Sequence, residues 1–395
     1  MGDAHPGVPP VPPAGGVTSD GAGAAIDQGR ARTFPCAGCG AALSFSIEAQ
    51  SLACGFCGTV RDLASPDGRI VAEQDLRAAL RDIAEGRVAE AGLRRGDEEI
   101  VHEVRCGDCG ADVRFTGSLT SDECPYCGTA IQLDGVHDAE DRVRVDGVLP
   151  FGIDHEVARK NLAAWVKSRW FAPNEFLRRG ASGRFHGVYL PFWTYDALTL
   201  NAYAGERGEH YWVTVRHGDQ TRRERRTRWY PASGTFRRFF DDVLVFAGAG
   251  LPAKLIEKLD PWPLERCVPY SPEFLAGYLA RTYDTSLEDG FGTAKGRIHA
   301  AIRADVQRRI GGDAQRIHGI DTEFGALTYK HLLLPVWLLV YRFRGKPYQV
   351  AVNAVTGEVQ GARPWSFWKI LFAVVVGIAA VGGAAWWIHE QNRPR

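Results

Sequence analysis

The chain has 395 residues, of which 45% are hydrophobic and 24% are charged, with 47 basic and 47 acidic side chains. This length can form two or three domains, and the hydrophobic share is ordinary for a globular protein. Because the net charge is zero, the chain as a whole has no electrostatic attraction to nucleic acid, and any basic surface has to be local.

Residues 1–33 are rich in Gly, Pro and Ala and show no apolar period. Such a segment cannot bury a core, so we expect a disordered leader. Nothing in it resembles a secretory signal peptide, and the cysteines that follow are therefore expected to meet a reducing environment.

Eight of the nine cysteines form one pattern that occurs twice, 70 positions apart: Cys36, Cys39, Cys54 and Cys57, then Cys106, Cys109, Cys124 and Cys127. Each half is two C-x2-C pairs, which is the spacing of a four-thiolate zinc site; disulfides are the alternative. The pattern predicts a zinc ribbon at 34–62 and another at 100–135, with two structural zinc ions. A shell of four thiolates has no open position for water, which disfavours hydrolytic chemistry.

A glycine follows the second cysteine of each pair in the first ribbon, Gly40 and Gly58. We expect a turn there in which backbone N–H groups face the sulfurs. Between the ribbons, residues 63–99 are predicted to be a helical linker, because apolar residues from Asp75 to Glu85 fall on one helical face.

An aromatic-rich α+β domain is predicted from 148 to 361. Asp154 is a plausible N-cap of its first helix, and further helices are expected at 252–259 and 287–310. Two related strand segments contain Pro191 and Pro335, which we expect at a sheet edge or a bulge because proline cannot donate to a ladder. A hairpin is predicted around residues 353–357.

Residues 370–388 carry no charge and are flanked by tryptophans. Nineteen residues at about 1.5 Å each span roughly 28 Å, which predicts a transmembrane helix acting as a C-terminal tail anchor. Zinc thiolates persist best in a reducing compartment, so the expected location is the inner (cytoplasmic) membrane, single-pass, with the N-terminal bulk in the cytoplasm.

The sequence contains no phosphate-binding loop, H-E-x2-H motif or G-x-S-x-G elbow. The pair Asp241 and Asp242 suits either turn capping or acid–base chemistry, and the first is favoured. Cys267, which has no partner in the repeat, is interpreted as a small buried side chain or, less favoured, a nucleophile. The chain is therefore predicted not to be an enzyme.

An arginine-rich stretch lies between two strand-like segments, and its candidate contacts to an anionic surface are Arg222, Arg223, Arg225, Arg226 and Arg228. The simplest interpretation is a solvated hairpin tip. The functional alternatives are anionic lipid headgroups, a protein partner or nucleic-acid phosphates, of which lipid or protein is favoured over DNA.

The tandem ribbons, together with the segments 148–151, 170–174, 187–193, 229–234 and 352–357, resemble a family of bacterial double-zinc-ribbon membrane proteins. The resemblance covers nearly all of the chain after residue 33. Members are often labelled primosomal protein N'-like, superfamily II helicase-like or TFIIB-type zinc-ribbon proteins, but this sequence has no Walker motif or helicase core. The resemblance implies a membrane-tethered adaptor associated with membrane-stress scaffolds of the SPFH or phage-shock type.

The predicted fold class is thus multidomain: two small β zinc ribbons, an α+β domain and one C-terminal transmembrane helix. The predicted function is a non-enzymatic, membrane-anchored zinc-ribbon adaptor or scaffold that recruits a protein partner to the cytoplasmic membrane face. The alternative is a zinc-ribbon nucleic-acid-binding protein linked to replication or transcription. A zinc enzyme would need a metal with an open coordination position, and no ligands for one are found. No small-molecule substrate is evident.

Overall fold

A computed structural model gives the structure of the protein. It describes residues 26–28, 31–32, 34–63, 70–86, 101–105, 112–116, 119–123, 130–133, 143–169, 185–217, 220–248, 251–343, 346–361 and 366–391.

The strands of the first half are β1 (Ile26–Gln28), β2 (Ala31–Arg32), β3 (Leu43–Ser46), β4 (Ser51–Cys54), β5 (Val60–Arg61), β6 (Gln74–Asp75), β7 (Val101–Arg105), β8 (Asp112–Thr116), β9 (Leu119–Glu123), β10 (Ala130–Leu133) and β11 (Gly147–Val148). Those of the second half are β12 (Phe185–His217), β13 (Gln220–Phe240), β14 (Val245–Phe246), β15 (Val268–Pro269), β16 (Leu279–Arg281), β17 (Ala314–Phe343), β18 (Lys346–Asn353) and β19 (Val359–Gly361). The α-helices are α1 (Leu76–Ala84), α2 (His155–Lys167), α3 (Ala253–Ile256), α4 (Leu287–Ile310) and α5 (Phe367–Gln391), and short 3-10 turns follow α3 and occur at 264–266 and 272–275.

Three strands of unusual length form the centre of the molecule. β12 has 33 residues, β17 has 30 and β13 has 21. β12 pairs antiparallel with β17 from Phe185–Leu339 to Gly208–Ala314, and its other side pairs with β13 from Ala197–Phe240 to His217–Gln220. These strands belong to a 13-stranded sheet with the path β15-β11-β17-β12-β16-β9-β10-β2, which β6, β13, β14, β18 and β19 join by pairing with its members.

The two related proline-containing segments pair with each other in this sheet. Tyr189 lies opposite Pro335, and Pro191 lies opposite Leu333. The prediction of an edge or bulge is therefore wrong. The pairing is tolerated because each proline turns its backbone away from the β12–β17 ladder: the carbonyl of Pro191 accepts from Ala247 N (3.0 Å) and that of Pro335 from Ala354 N (3.1 Å). On the side facing away from the β12–β17 ladder, the neighbouring strand changes or ends at each proline. The N–H groups that the prolines lack therefore fall where no continuous ladder needs them.

Helices are present after Asp154, within 75–85 and within 252–259, where α3 continues into a 3-10 turn, and α4 has the bounds expected from the sequence. Its buried residues recur on one face: Leu287, Gly290, Ala294, Ile298, Ile302, Val306 and Ile310. This face packs against Ala197, Phe236 and Phe240 of the long strands. Ser286 caps the helix by accepting from Asp289 N at 3.0 Å, and Asp154 caps α2 by accepting from Val157 N at 2.8 Å.

The predicted fold class is wrong, because the protein is mostly β-sheet and its sheet crosses the expected module borders. β2 from the expected leader, β6 from the linker, and β9 and β10 from the expected second ribbon all belong to the 13-stranded sheet. A strand pairs through backbone hydrogen bonds with whichever sheet edge is available, and the sequence pattern does not identify that edge. The second ribbon region therefore contributes β9 and β10 to the main sheet, whereas β3, β4 and β5 of the first form a separate three-stranded sheet.

The predicted transmembrane helix is also corrected. Within the part of the chain that the structure describes, no helix combines the length and the apolar character needed to cross a membrane. A helix that crosses a membrane needs about 20 consecutive apolar residues to span the roughly 30 Å of a bilayer core. The tail anchor and the single-pass inner-membrane location expected from 370–388 are accordingly not supported.

Candidate functional site

The first cysteine tetrad is built on two tight backbone turns. In the first, Cys36 N donates to Ala41 O at 2.7 Å and Gly40 N to Cys36 O at 2.9 Å. In the second, Cys54 N donates to Thr59 O at 2.9 Å and Gly58 N to Cys54 O at 3.0 Å. Gly40 and Gly58 have φ of 77° and 73°, so both turns need the left-handed conformation that glycine adopts without strain. The predicted role of these glycines is confirmed.

The turns bring the four sulfurs of the first tetrad together. The Sγ atoms of Cys36 and Cys57 are 3.5 Å apart, as are those of Cys39 and Cys54. All four ligand atoms lie within 4.8 Å of one another. Four thiolates around one ion with bonds of about 2.3 Å would be about 3.8 Å apart, so the cluster can hold a metal ion with little movement.

Hydrogen bonds give the cysteines of this cluster different pKa values. The Thr59 hydroxyl, 3.1 Å from Cys57 Sγ, and the Thr59 N–H lower the pKa of Cys57 to about 6. The Ala41 N–H lowers the pKa of Cys39, but hydrogen bonds with Cys57 and Cys54 outweigh it and raise that pKa to about 12. One sulfur is thus readily a thiolate and its neighbour a thiol, and metal binding would release the remaining protons.

The cysteine cluster sits on a small sheet that is packed into the main core. β3, β4 and β5 form a three-stranded antiparallel sheet in which Phe45 lies opposite Leu52. Leu43, Phe45 and Leu52 are buried, and Phe45 N donates to Ala276 O at 2.9 Å. The Phe45 ring is 5.4 Å from that of Phe274.

The turn between β4 and β5 is exposed. Phe56, between Cys54 and Cys57, has 88% of its surface exposed, and Val60 at the start of β5 has 51% exposed. Cys39 and Cys57 are also exposed, whereas Cys36 and Cys54 are buried. The cluster thus includes two buried sulfurs of the packed sheet and two exposed ones, and Phe56 lies beside it on the exposed turn.

The cofactor prediction is met in part. One four-cysteine cluster that can hold a metal lies in the described residues, and its geometry does not distinguish zinc from other thiophilic ions. Cys106, Cys109, Cys124 and Cys127 lie outside those residues. The zinc assignment, including the second site, is therefore taken up below as a proposal.

The five predicted arginines lie on a two-stranded projection. β17 ends its pairing with β12 at Gly208–Ala314, and beyond that point β12 and β13 pair only with each other. We call residues 209–228 the arm. The hairpin expected here is present, and Arg222, Arg223, Arg225, Arg226 and Arg228 are all exposed.

The sequence did not predict an ionic cluster that joins β12, β17 and the segment after β13. Lys330 Nζ lies 2.8 Å from Asp242 Oδ1 and 4.0 Å from Asp196 Oδ2. Asp196, 1% exposed, accepts from Asp242 N at 2.6 Å and from Thr328 Oγ1 at 3.0 Å. Burial raises the pKa of Asp196. Only the pairing of distant strands brings Asp196 beside Lys330.

The ionic cluster also clarifies two residues singled out in the sequence. Asp242 has φ of 48° and both its backbone and its carboxylate are engaged, which agrees with a turn position. Cys267 borders the same cavity as Asp241 and Asp242, and burial raises its pKa to about 12. A thiol with that pKa is a poor nucleophile at neutral pH.

No family model and no solved structure matches the chain. It is similar to a Bacillus subtilis (strain 168) protein described as "Uncharacterized protein YdjG": 26% of 341 residues are identical, covering 86% of this chain and 92% of that protein. The similarity therefore extends over most of both chains. The resemblance to double-zinc-ribbon proteins is not tested by these comparisons and stays a prediction.

Proposed function

We propose that the protein is a non-enzymatic adaptor in which zinc, bound by Cys36, Cys39, Cys54 and Cys57, holds a small sheet that presents Phe56 to a protein partner. Four cysteine thiolates at tetrahedral spacing are the ligand set that zinc takes in closed, structural sites. We extend the zinc proposal to Cys106, Cys109, Cys124 and Cys127 on their identical spacing alone. A filled shell leaves the metal no position for a substrate, which supports a structural role.

The observation that carries the proposal is the exposure of Phe56. Phe45 of β3 is 4% exposed and packed on Phe274, whereas Phe56 is 88% exposed. The two flanking metal ligands would hold its backbone rigid, so a partner would lose little conformational entropy in docking on it. Exposed aromatic side chains on rigid supports are typical anchors of protein interfaces.

The resemblance to double-zinc-ribbon proteins suggests which partner to test first. Membrane-stress scaffolds of the SPFH or phage-shock type are the class it implies.

Site-specific photocrosslinking tests the adaptor function. A photoreactive phenylalanine is introduced in the full-length protein at position 56 and, as the matched control, at Ile70, which is apolar and 90% exposed but outside the small sheet. We expect a discrete crosslinked protein from position 56 only, lost when Cys36→Ser removes a metal ligand. Equal products from both positions, or none from position 56, would contradict the proposal.

A further inference from the structure

The arm extends well beyond the rest of the sheet. From Glu209–Arg228 to His217–Gln220 it has nine residue pairs in register. At about 3.4 Å per residue it is roughly 30 Å long. Neither β17 nor another described strand pairs with it, and none of the side chains at 209–216 and 221–228 is buried, so both faces are accessible to a ligand.

Side chains alternate between the two faces of the arm. The mixed face carries Glu209, Tyr211, Val213, Val215, Arg222, Glu224, Arg226 and Arg228. The basic face carries His210, Trp212, Thr214, Arg216, Thr221, Arg223, Arg225 and Thr227. The five arginines that the sequence grouped together are thus split between surfaces that a single flat ligand cannot contact at once.

Two of the three arginines of the mixed face, Arg226 and Arg228, already have partners. Arg226 lies 3.8 Å from Glu224. The guanidinium of Arg228 is 5.3 Å from the centre of the Tyr211 ring, and it is also hydrogen bonded to Tyr230. These contacts reduce the capacity of the mixed face to bind an anion.

The basic face contains no acidic residue, and it combines the guanidinium groups of Arg223 and Arg225 with an exposed aromatic ring. Trp212 is 60% exposed and lies directly opposite Arg225. Arg223 projects from the same face about 7 Å further along the strand. Within the described part of the chain, neither Arg223 nor Arg225 forms an ion pair.

We infer that the basic face of the arm binds single-stranded nucleic acid, with Trp212 stacking on a base and Arg223 and Arg225 contacting phosphates. Guanidinium groups match phosphate oxygens, and an exposed indole offers a surface on which any base can stack. An extended strand face of about 30 Å has room for several nucleotides laid along it. This inference goes beyond the adaptor proposal and does not depend on it.

The position of Trp212 favours a polymer along the arm over a lipid surface at its end. Trp212 is five residues before His217, the last residue of β12, and hence about 17 Å from that end.

Fluorescence anisotropy with the full-length protein tests the inference. The probes are a labelled single strand of about 20 nucleotides and a duplex of the same sequence, and flotation with phosphatidylglycerol-containing vesicles tests the lipid alternative. The variants are Arg223→Gln/Arg225→Gln and the matched pair Arg222→Gln/Arg226→Gln, which removes the same formal charge from the mixed face. Trp212→Ala is compared with Tyr211→Ala.

We expect the basic-face pair to weaken single-strand binding by about tenfold or more, and the mixed-face pair by less than about threefold. The basic-face pair should also reduce the slope of log K against log salt by about 1.4, since each phosphate contact on a single strand contributes about 0.7. Trp212→Ala should cost about tenfold and Tyr211→Ala little.

Four outcomes would overturn the inference. They are equal losses for the two arginine pairs, equal losses for the two aromatic variants, tighter binding to the duplex than to the single strand, and binding to vesicles without binding to the single strand. Absence of single-strand binding by the unchanged protein would do the same. Unchanged melting temperatures of the four variants serve as the check that the fold is intact.

Discussion

The small sheet that holds the cysteine cluster and the arm are both built from β-strands, yet their strands are ordered by different interactions. β3, β4 and β5 have two to four residues each, and they depend on the cysteine turns at one end and on the main core beneath them. The arm has nine pairs of residues and no core beneath it, and its order comes from cross-strand hydrogen bonds and ring contacts. The comparison shows that exposed aromatic and charged residues lie on both regions, but only the small sheet also buries apolar surface. We therefore expect substitutions to affect stability in the small sheet and binding in the arm.

Among the substitutions considered, loss of a metal ligand should have the largest effect, and that effect should be on the stability of the small sheet. Cys36→Ser is expected to reduce bound zinc by one ion per chain and to make residues 34–62 sensitive to protease, because structural zinc supplies about 10 kcal/mol or more of folding free energy in small domains. Elemental analysis and limited proteolysis measure both effects. Cys267→Ser, which changes a cysteine outside the tetrads, is the control and should retain all zinc; an unchanged zinc content in Cys36→Ser would refute the metal site.

Phe45 and Phe56 should differ sharply in how much each contributes to the free energy of unfolding. Phe45→Ala is expected to lower the free energy of unfolding by about 3–5 kcal/mol, since it leaves a cavity against Phe274. Phe56→Ala should change it by less than about 0.5 kcal/mol, because that ring is exposed. Urea unfolding of the full chain measures both variants. Similar losses at the two positions would mean that the sheet is not packed as described.

The base of the arm offers a sharper test of backbone packing. A Cβ at Gly205 would meet the backbone oxygen of Arg316, and this position adjoins an irregularity in the β12–β17 register. Gly205→Ala should therefore destabilise the protein by about 2 kcal/mol, because backbone cannot move aside as a side chain can. Gly319→Ala, on β17, meets nothing within 4 Å and should be neutral or slightly stabilising. Thermal unfolding of the two variants tests the pairing where the arm begins.

The stability of the protein should depend on pH through a histidine in the buried part of these long strands, and not through the exposed arm. His331 on β17 is 1% exposed, its Nδ1 lies 3.1 Å from Arg144 O, and burial lowers its pKa to about 4. Between about pH 6.5 and 4 the unfolded chain binds a proton that the folded chain excludes, so stability falls as the pH falls. At pH 5 this costs about 2 kcal/mol relative to neutral pH.

His331→Asn should remove that loss, so the stability of the variant relative to the unchanged protein should rise by about 2 kcal/mol between pH 8 and pH 5. Burial raises the pKa of Asp146 to about 6, which acts in the opposite direction. Its carboxylate accepts from the backbone N–H of residue 331, at 2.7 Å, so its effect is common to both proteins. A difference that does not depend on pH would show that His331 is not buried in its neutral form.

Some structural features follow from neighbours in sequence and were predictable. The cysteine spacing and the glycines after each pair indicated the metal cluster, since two adjacent turns bring four sulfurs together. Helix α4 was predicted with correct bounds because its capping serine and buried face repeat within one continuous segment. The hairpin at residues 353–357 followed from its Asn and Gly in the same way.

The amino-acid sequence by itself determined the four-cysteine cluster, the boundaries of α4 and a local excess of arginine, because each rests on residues in one short continuous segment. Only the tertiary structure decided that the small sheet joins the main core, that Asp196 meets Lys330, and that Arg223 and Arg225 share a face with Trp212. The physical reason is that strand pairing joins residues far apart in the chain through backbone groups common to all residues. Partner and register therefore depend on the whole sheet.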